Sequence, residues 1–492
     1  DSRRHRSMLD GRHTAQNHNE FRVDKTADPN TGALTAEAEP ARGVKDHAAA
    51  VAWLKERGIQ DVECIVPDQA GVARGKLMPT EKFAMSPSIT MPTSIFSQTI
   101  TGDYPPEDEH FTHDPTDGDL IFDPDYATLA VVPWASDPAA QLIHDARYKD
   151  GRPVDHAPRQ VLKRVVDLYE RKGMRPVVAP EIEFYLVKPN TDPDYPLEPP
   201  IGRSGRPEIG RQSFSIAAVN EFDDLFDDIY EYAEAQGLEI DTLIHEEGAA
   251  QMEINLLHGD AVDLADQVFL FKRTIREAAL RHQMYATFMA KPMSNEPGSA
   301  MHIHCSLRDT ETGQPIFSDA NGNPTKEFFS FIAGHQRYLP NVLCIMAPYV
   351  NSYRRLERYT ASPINVHWGY DNRTVGLRVP HGKPEARRLE NRVPSSDANP
   401  YLAIAASLAC GYLGMKQKLT PDEPRSGNFS EDMHALPRGL LEAVALFGEC
   451  DELIDVFGEK FVATYRAIKQ EEFETFMKVI SPWEREYLLL NV

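Results

Sequence analysis

Residues 177–187 read VVAPEIEFYLV, an apolar run that contains two glutamates two positions apart. An apolar run of this kind predicts a buried strand, and the two-residue period of a strand directs Glu181 and Glu183 to the same face. Two ionised carboxylates in a dry site would each cost several kcal/mol unless a cation shared that face. A divalent metal ion is the preferred cation because carboxylate oxygens are its usual ligands.

Two further stretches repeat this spacing, MHIHC at residues 301–305 and RLENR at residues 388–392. The first places two imidazoles on one face of a predicted strand, and the second places an arginine, a glutamate and an arginine on one face. Each pattern alone has a simpler explanation: an exposed strand edge, a structural histidine pair or a surface ladder of salt bridges. The apolar flanks and the occurrence of all three patterns in one chain favour a metal site.

Composition limits the class of protein. The chain has 492 residues, of which 41 % are hydrophobic, enough for two or three domains with a large core. A net charge of -23 argues against nucleic acid as a partner, because phosphate binding requires a basic surface. No stretch approaches the roughly 18 to 20 apolar residues of a membrane span, and no signal-peptide core is present near the start. We therefore expect a cytoplasmic protein that does not bind membranes.

The chain divides into three segments by pattern. Residues 1–44 are polar without apolar periodicity and predict a disordered tail. Residues 45–152 predict a small domain in which a helix precedes two strands joined by the turn at residues 68–71. Residues 153–492 alternate strand and helix signals and predict a larger second domain, with the boundary at Arg152 and Pro153.

Five motifs in order carry a family resemblance: PEIEF at 180–184, GSAMHIH at 298–304, NSYRRL at 351–356, NRT at 372–374 with RVP at 378–380, and RLENR at 388–392 leading into DANPYL at 397–402. On these motifs the chain resembles the glutamine synthetases over nearly everything beyond the tail. The resemblance implies an α+β fold. It comprises a small β-grasp-like N-terminal domain over residues 45–152 and a large catalytic domain over residues 153–492. In the latter, a curved antiparallel sheet flanked by helices forms the site for ATP and glutamate.

The resemblance also implies two or more catalytic divalent ions, either Mg²⁺ or Mn²⁺. The ligands of the first ion match Glu183, Glu246 and Glu253, and those of the second match Glu181, His302 and Glu390. Glu246 is chosen over the adjacent Glu247 on family spacing. Hard oxygen ligands with one imidazole suit either ion.

Substrate contacts follow from the same resemblance. Arg355 and Arg392 match positions that hold glutamate and its reacting carboxylate, so Arg392 is also assigned a catalytic role, and Gly298 matches the loop that receives the amino end. Positions around the nucleotide match Arg373, Arg378 and Arg388, together with His304 and Ser306. Guanidinium groups suit these tasks because they bind carboxylate or phosphate in a bidentate way, although any single arginine is equally well explained by a surface ion pair.

The chain departs from the family at the amine pocket. It has Ala361, in the stretch TASP at 360–363, where glutamine synthetases place an acid on a flap, and Phe214 where a tyrosine lines the ammonium site. Both changes make the pocket larger and less anionic. The resemblance is therefore closest to the γ-glutamylpolyamine and γ-glutamylmonoamide synthetase branch. It implies an ATP-dependent ligase that joins glutamate to a primary amine through γ-glutamyl phosphate.

Two alternatives stay open, an ammonia-dependent glutamine synthetase and a non-catalytic scaffold or sensor. Asp68 matches an acid that the family contributes from a neighbouring subunit, which makes it a candidate for amine binding or proton acceptance. On local sequence alone Asp68 is better explained as a turn-former. An active site shared between subunits implies self-association into a hexamer or a dodecamer.

Overall fold

A computed structural model describes residues 41–107, 111–112, 114–358, 360–429 and 435–492. The predicted polar tail over residues 1–44 lies outside the described residues except for its last four positions. Among the described helices, none combines the length and the apolar character that a bilayer crossing requires.

Strands and helices occur in mixed order along the described part of the chain. The strands are β1 (Asp61–Pro67), β2 (Ala73–Pro79), β3 (Ile89–Pro92), β4 (Asp119–Pro124), β5 (Ala130–Val131), β6 (Ala139–Arg147), β7 (Met174–Val187), β8 (Ile240–His245), β9 (Gln251–Leu256), β10 (Gly259–Asp260), β11 (Tyr285–Thr287), β12 (Ile303–Asp309), β13 (Trp368–Tyr370), β14 (Leu377–Val379) and β15 (Leu389–Asn391). The helices are α1 (His47–Glu56), α2 (Thr80–Met85), α3 (Pro158–Glu170), α4 (Ile216–Val219), α5 (Asp223–Ala235), α6 (Ala261–Arg281), α7 (Lys326–Met346), α8 (Val350–Tyr353), α9 (Pro400–Gln417), α10 (Leu440–Gly448), α11 (Asp451–Phe457), α12 (Glu459–Met477) and α13 (Pro482–Leu488).

The first sheet has the strand order β2-β1-β6-β4-β3, and β5 pairs with β6. β1 and β2 form an antiparallel hairpin around the predicted turn, whereas β1 and β6 run parallel. Val62, Cys64 and Val66 of β1 are buried at alternate positions and face a hydrophobic cluster that includes Trp53 and Leu54 of α1. The alternation follows from the two-residue period of a strand with one face in the core.

The second sheet has the order β13-β14-β15-β12-β7-β9-β8, and both β10 and β11 also pair with β7. All of its pairs are antiparallel except β13 with β14. The fourteen-residue strand β7 lies at the centre and pairs with β9 and β12 on its two sides. The apolar run that contains the two glutamates is therefore the core strand of this sheet.

Helices α7 and α9 pack against each other with their backbones in close approach. A Cβ atom added to Gly334 would lie 2.1 Å from the Cys410 carbonyl oxygen, so only glycine fits at this crossing. Helix α9 is buried along residues 400–414, which agrees with its apolar character on every face. These helices hold the second sheet against a large hydrophobic cluster.

A buried arginine links the two sheets. Arg159 of α3 donates hydrogen bonds to Asp266 of α6 at 2.9 and 2.7 Å, to Asp145 of β6 at 2.8 Å and to Asp125 at 2.7 Å. Three carboxylates around one guanidinium compensate the cost of burying its charge. The network holds the edge of the first sheet close to the helices of the second.

The sequence pattern predicts a helix over residues 326–340 and a strand over residues 127–132, and the bounds of both were wrong. Helix α7 was expected to end at Pro340, yet it continues to Met346. Proline in a helix costs about 3 kcal/mol, but the extra turn buries apolar side chains worth about 1.5 to 3 kcal/mol each, among them Val342, Leu343 and Ile345. The strand predicted over residues 127–132 is reduced to β5, because residues 126–128 form a 3-10 turn.

Candidate active site

Strand pairing brings together candidate ligands that lie far apart in the sequence. Glu183 of β7 lies directly opposite Glu253 of β9, and His304 of β12 lies opposite Glu390 of β15. The backbone N–H of Glu181 donates to the His302 carbonyl oxygen at 2.9 Å. The three stretches with two-residue spacing therefore lie side by side in one sheet.

Glu181, two histidines and Glu390 form one compact group. The Glu181 carboxylate contacts His302 Nδ1 at 2.8 Å and His304 Nε2 at 2.7 Å. His302 Nδ1 also lies 3.9 Å from Glu390 Oε1, and ligand atoms of Glu181, His304 and Glu390 all lie within 4.8 Å of one another. This spacing suits a single metal ion, and it makes His304 a candidate ligand in addition to His302.

The acids of this group are held in their ionised form. Burial opposes ionisation of Glu181, but hydrogen bonds from His302 and His304 outweigh it and hold the pKa of the carboxyl well below its usual range. For Glu390, burial is likewise outweighed by the charge of Arg392, which lowers the pKa. Both carboxylates are therefore available as ligands at neutral pH.

A second group contains the acids Glu183, Glu246 and Glu253. The described residues around it supply too little positive charge to balance three carboxylates. Burial and the nearby carboxylates raise the pKa of Glu183 to about 8 and that of Glu253 to about 9. The pKa of Glu246 is also raised, by burial and by the charge of Glu181. Oxygen ligands that repel one another fit divalent cations, which would supply the missing positive charge.

The structure separates Glu246 from its neighbour. Glu246 is partly buried and interacts electrostatically with Glu181, whereas Glu247 is exposed and pairs with Arg211 at 2.6 Å. The geometry therefore supports Glu246 as the member of this acidic group.

We expect Glu246→Gln to weaken Mn²⁺ binding and to lower kcat/KM at least about 100-fold, whereas Glu247→Gln stays within about twofold of the wild type. A lost ligand charge acts on the metal directly, and even outer-shell changes typically cost 10- to 100-fold. Titration with Mn²⁺ followed by electron paramagnetic resonance checks the first effect and steady-state kinetics the second. Equal losses in the two variants would contradict the assignment.

Two arginines bracket Glu390. Arg392 Nη1 donates to Glu390 Oε1 at 2.6 Å, and Arg378 donates to Glu390 Oε2 at 2.8 Å and to Asp371 at 2.6 Å. The Nε atoms of Arg378 and Arg392 are buried and, within the described residues, have no hydrogen-bond partner. Each guanidinium thus has one N–H that is enclosed by protein atoms and makes no hydrogen bond with them.

Arg355 is buried directly behind Gly298. It donates to the carbonyl oxygens of Val393 at 2.8 Å and of Arg392 at 2.9 Å. A Cβ atom at position 298 would lie 2.5 Å from Arg355 Cγ, so glycine is required for this contact. Burial lowers the pKa of Arg355 to about 10, opposed by the charge of Glu183. Arg355 therefore joins the Gly298 loop to the backbone of the site.

A cavity of about 860 Å³ opens beside the ligand group. Glu181, His304, Ser306 and Arg388 line it, and Arg388 Nε donates to His304 Nδ1 at 3.1 Å. The volume lies in the range of small-molecule and cofactor sites. Among the five predicted nucleotide contacts, Arg373 and Arg378 are not lining residues of this cavity, although the charge of Arg373 acts on Glu246.

Comparison with known proteins decides the family. Residues 155–488 match the model of the glutamine synthetase catalytic domain. The chain belongs to the glutamine synthetase family. The predicted resemblance and the α+β fold are thereby confirmed.

Among its relatives is γ-glutamylputrescine synthetase PuuA of Escherichia coli, 35 % identical over 444 residues, which cover 88 % of this chain and 92 % of that protein. Glutamate–isopropylamine ligase of a Pseudomonas species is 31 % identical over 442 residues, covering 88 % and 95 %. Several proteins named glutamine synthetase match as well. The solved structure of apo GmaS without ligand superposes with a TM-score of 0.76 at 28 % identity, covering 89 % of this chain and 99 % of that one.

The residues predicted for the amine pocket of this glutamine synthetase family member differ in exposure, and the backbone N–H of Phe214 donates to the His245 carbonyl oxygen at 2.9 Å, next to Glu246. Phe214 is 71 % exposed, with a left-handed φ of 61°, and Ala361 is exposed. Asp68 is buried, and its carboxylate accepts hydrogen bonds from the N–H groups of Ala70 and Val72 and from Arg74 Nε, at 2.9, 2.8 and 2.8 Å. Asp68 thus organises the turn, as its local sequence predicts.

A buried Glu208–His245 pair lies beside the acidic group, and no sequence pattern predicted it. His245 Nε2 contacts Glu208 Oε1 and His245 Nδ1 contacts the Glu246 carbonyl oxygen, both at 2.6 Å. Both ring nitrogens of His245 therefore have an oxygen partner. It holds the backbone of Glu246 in place, and Glu208 lies in a glycine- and proline-rich loop where no pattern marked it.

Proposed function

We propose that this protein is an ATP-dependent, ADP-forming ligase that joins the γ-carboxylate of glutamate to a primary organic amine through γ-glutamyl phosphate. The observation that carries the proposal is Ala361, an exposed alanine where the family resemblance expects a flap acid. Alanine offers neither a charge to hold ammonium nor a base to deprotonate it. Relatives named for putrescine and isopropylamine as amine substrates support the same branch.

In the first step an oxygen of the glutamate γ-carboxylate bonds to the γ-phosphorus of ATP, the bond from this phosphorus to the bridging oxygen breaks, and ADP leaves. Arg355 and Arg392 hold glutamate, and Arg392 orients its reacting carboxylate. Arg388, which lines the cavity, is our candidate for contacting the phosphates, whereas Arg373 and Arg378 lie outside its lining and are assigned to the phosphates by the family resemblance alone. When bound, Mg²⁺ or Mn²⁺ supplies positive charge to the transferring phosphoryl group.

In the second step the amine displaces phosphate. Deprotonation of a primary ammonium with a pKa of ~10.4 costs roughly 4 to 5 kcal/mol at neutral pH. Asp68 of a neighbouring subunit is our candidate for holding this ammonium and accepting its proton. This proposal requires that, in the assembled enzyme, the Asp68 carboxylate gives up the hydrogen bonds that it accepts within its own turn.

A product screen with ammonium, isopropylamine and putrescine tests the amine class. We expect an alkylamine to be used with kcat/KM at least about 100-fold above that of ammonium, measured by mass spectrometry of the γ-glutamylamide. Ala361→Glu should shift this ratio toward ammonium about 10-fold, because a flap carboxylate attracts a small cation. Ala361→Gln adds similar volume without charge and should leave ammonium use unimproved.

Two results would overturn this assignment. Preferential use of ammonium by the wild type would favour an ordinary glutamine synthetase. Absence of ATP turnover with any amine, despite bound metal, would favour a non-catalytic scaffold or sensor.

We also propose that the protein is cytoplasmic and self-associates into a hexamer or a dodecamer. Apolar side chains are exposed along the C-terminal segment: Val479, Ile480, Trp483, Leu489, Leu490 and Val492. Such a stretch is costly in water and marks a contact surface. Deletion of residues 479–492 is expected to lower the mass measured by light scattering, whereas an unchanged mass would exclude this segment from the contact.

A further inference from the structure

A second cavity lies between helix α6 and the turn that carries Asp68. Its volume is about 620 Å³, and its walls come from residues 70–73, α6, residues 286–289 and residues 396–400. It shares no lining residue with the cavity beside Glu181. We refer to it as the α6 cavity.

Lys272 and Asp397 supply opposite charges to the α6 cavity. Lys272 is buried and donates to the carbonyl oxygens of Ser396 at 2.6 Å and of Ala398 at 3.3 Å. Asp397 accepts a hydrogen bond from Ser352 at 2.8 Å, and its charge interacts with that of Lys272. The two charges offset each other.

Arg276 is the cation that remains. Its guanidinium lies 4.8 Å from the centre of the Phe288 ring, and no carboxylate pairs with it in the described part of the chain. The neighbouring Arg273 is different, because it pairs with Glu63 at 2.8 Å. Arg276 is exposed, so the cavity offers one accessible positive charge in a protein whose net charge is -23.

The other walls are mixed, with polar Thr287, Asn351 and Ser396 beside an apolar part. Phe269, Phe288 and Ile100 line the α6 cavity, and Arg276 also borders an adjoining groove of about 760 Å³ with Tyr195 and Leu280 on its surface. A ligand with one negative charge and an apolar body would satisfy both features. Guanidinium binds carboxylate in a bidentate way, and ring faces bury apolar area.

We propose that the α6 cavity binds a carboxylate monoanion with an apolar body. Its carboxylate pairs with Arg276, and its body packs against Phe288 and Phe269. This inference goes beyond the ligase function and does not depend on it. Because Gly71 and Val72 line the same cavity, the ligand contacts the turn that Asp68 organises.

Titration of the full-length protein with 4-fluorobenzoate, followed by ¹⁹F nuclear magnetic resonance, tests the site. We expect saturable binding by the wild type, weakened at least about 10-fold in Arg276→Gln, since one bidentate charged pair is lost. Arg276→Lys keeps the charge without the fork and should be weakened less. Arg281→Gln is the matched control on the same helix, because Arg281 donates to the Tyr232 hydroxyl outside the cavity, and it should bind within about twofold of the wild type.

One competition experiment tests whether the α6 cavity is separate from the active site, and one uncharged ligand tests the role of the carboxylate. Glutamate with ATP and Mg²⁺ should not displace 4-fluorobenzoate, and the uncharged 4-fluorobenzyl alcohol should bind at least about 10-fold more weakly. Displacement by the substrates, equal affinity in Arg276→Gln, or absence of saturable binding up to about 10 mM would each overturn the proposal. A failed amine screen would leave this result unaffected, so the two proposals fail separately.

Discussion

Replacing Glu181 with glutamine is expected to lower kcat/KM for ATP-dependent amide formation by at least about 100-fold. Glu181 contacts both His302 and His304 and also borders the 860 Å³ cavity, so it connects the ligand group to the predicted nucleotide site. Glutamine keeps the shape of the side chain and removes its charge. A metal ion would lose an anionic ligand, and one of the two histidines would face an NH2 group in place of its acceptor oxygen.

Glu198→Gln provides the matched control. Glu198 follows the same strand in sequence, but its side chain is 65 % exposed and pairs with Lys188 on the surface. Exposed pairs of this kind contribute little, so activity should stay within about twofold of the wild type. Product formation by mass spectrometry and Mn²⁺ binding by electron paramagnetic resonance are the measurements. Glu181→Gln with activity within about fivefold of the wild type would remove Glu181 from the metal site.

The sequence predicted which residues share a face but not which strands are neighbours. A period of two residues fixes the common face of Glu181 and Glu183, and the same holds for the patterns in β12 and β15. Pairing between β7, β12 and β15 joins segments more than 80 residues apart, and no local pattern encodes such a pairing. The expectation that these strands are neighbours rested on the family resemblance, because the order of the motifs carries information that the two-residue period lacks.

Contacts from loops were beyond prediction for a related reason. Glu208 reaches His245 across 37 residues, and Arg378 reaches Glu390 through the pairing of β14 with β15. Each contact depends on where a segment returns after a loop. His304 shares the Glu181 carboxylate with His302, and residue type alone did not reveal this. Both histidines lie on the same face of the predicted strand and have the same chemistry, so the sequence could not distinguish their roles.

Removal of divalent metal should make the stability of the protein depend steeply on pH. The folded-state pKa values of Glu183 and Glu253 are raised to about 8 and about 9, above the ordinary value of 4.5. Between pH 4.5 and these raised values, the two carboxyls keep their protons in the metal-free folded protein but have lost them in the unfolded chain. Its stability is therefore highest at low pH and falls as pH rises through about 8 and 9. We expect the Tm of chelator-treated protein to fall by about 5 °C or more between pH 6 and pH 9.

Saturating Mg²⁺ or Mn²⁺ should remove most of this fall, because the cations replace the protons between the carboxylates. Other groups titrate in the same range: burial lowers the pKa of Lys272 to about 7, which acts in the opposite direction. Glu253→Gln tests the acidic group alone, because it removes one of the two carboxyls whose pKa is raised. Without metal, the Tm of this variant should depend less on pH above 7 than the Tm of the wild type. Differential scanning calorimetry across pH, with and without metal, gives all four curves. A metal-free Tm that is as flat as the metal-bound one would show that these carboxylates do not repel one another in the folded protein, and the case for a metal between them would be lost.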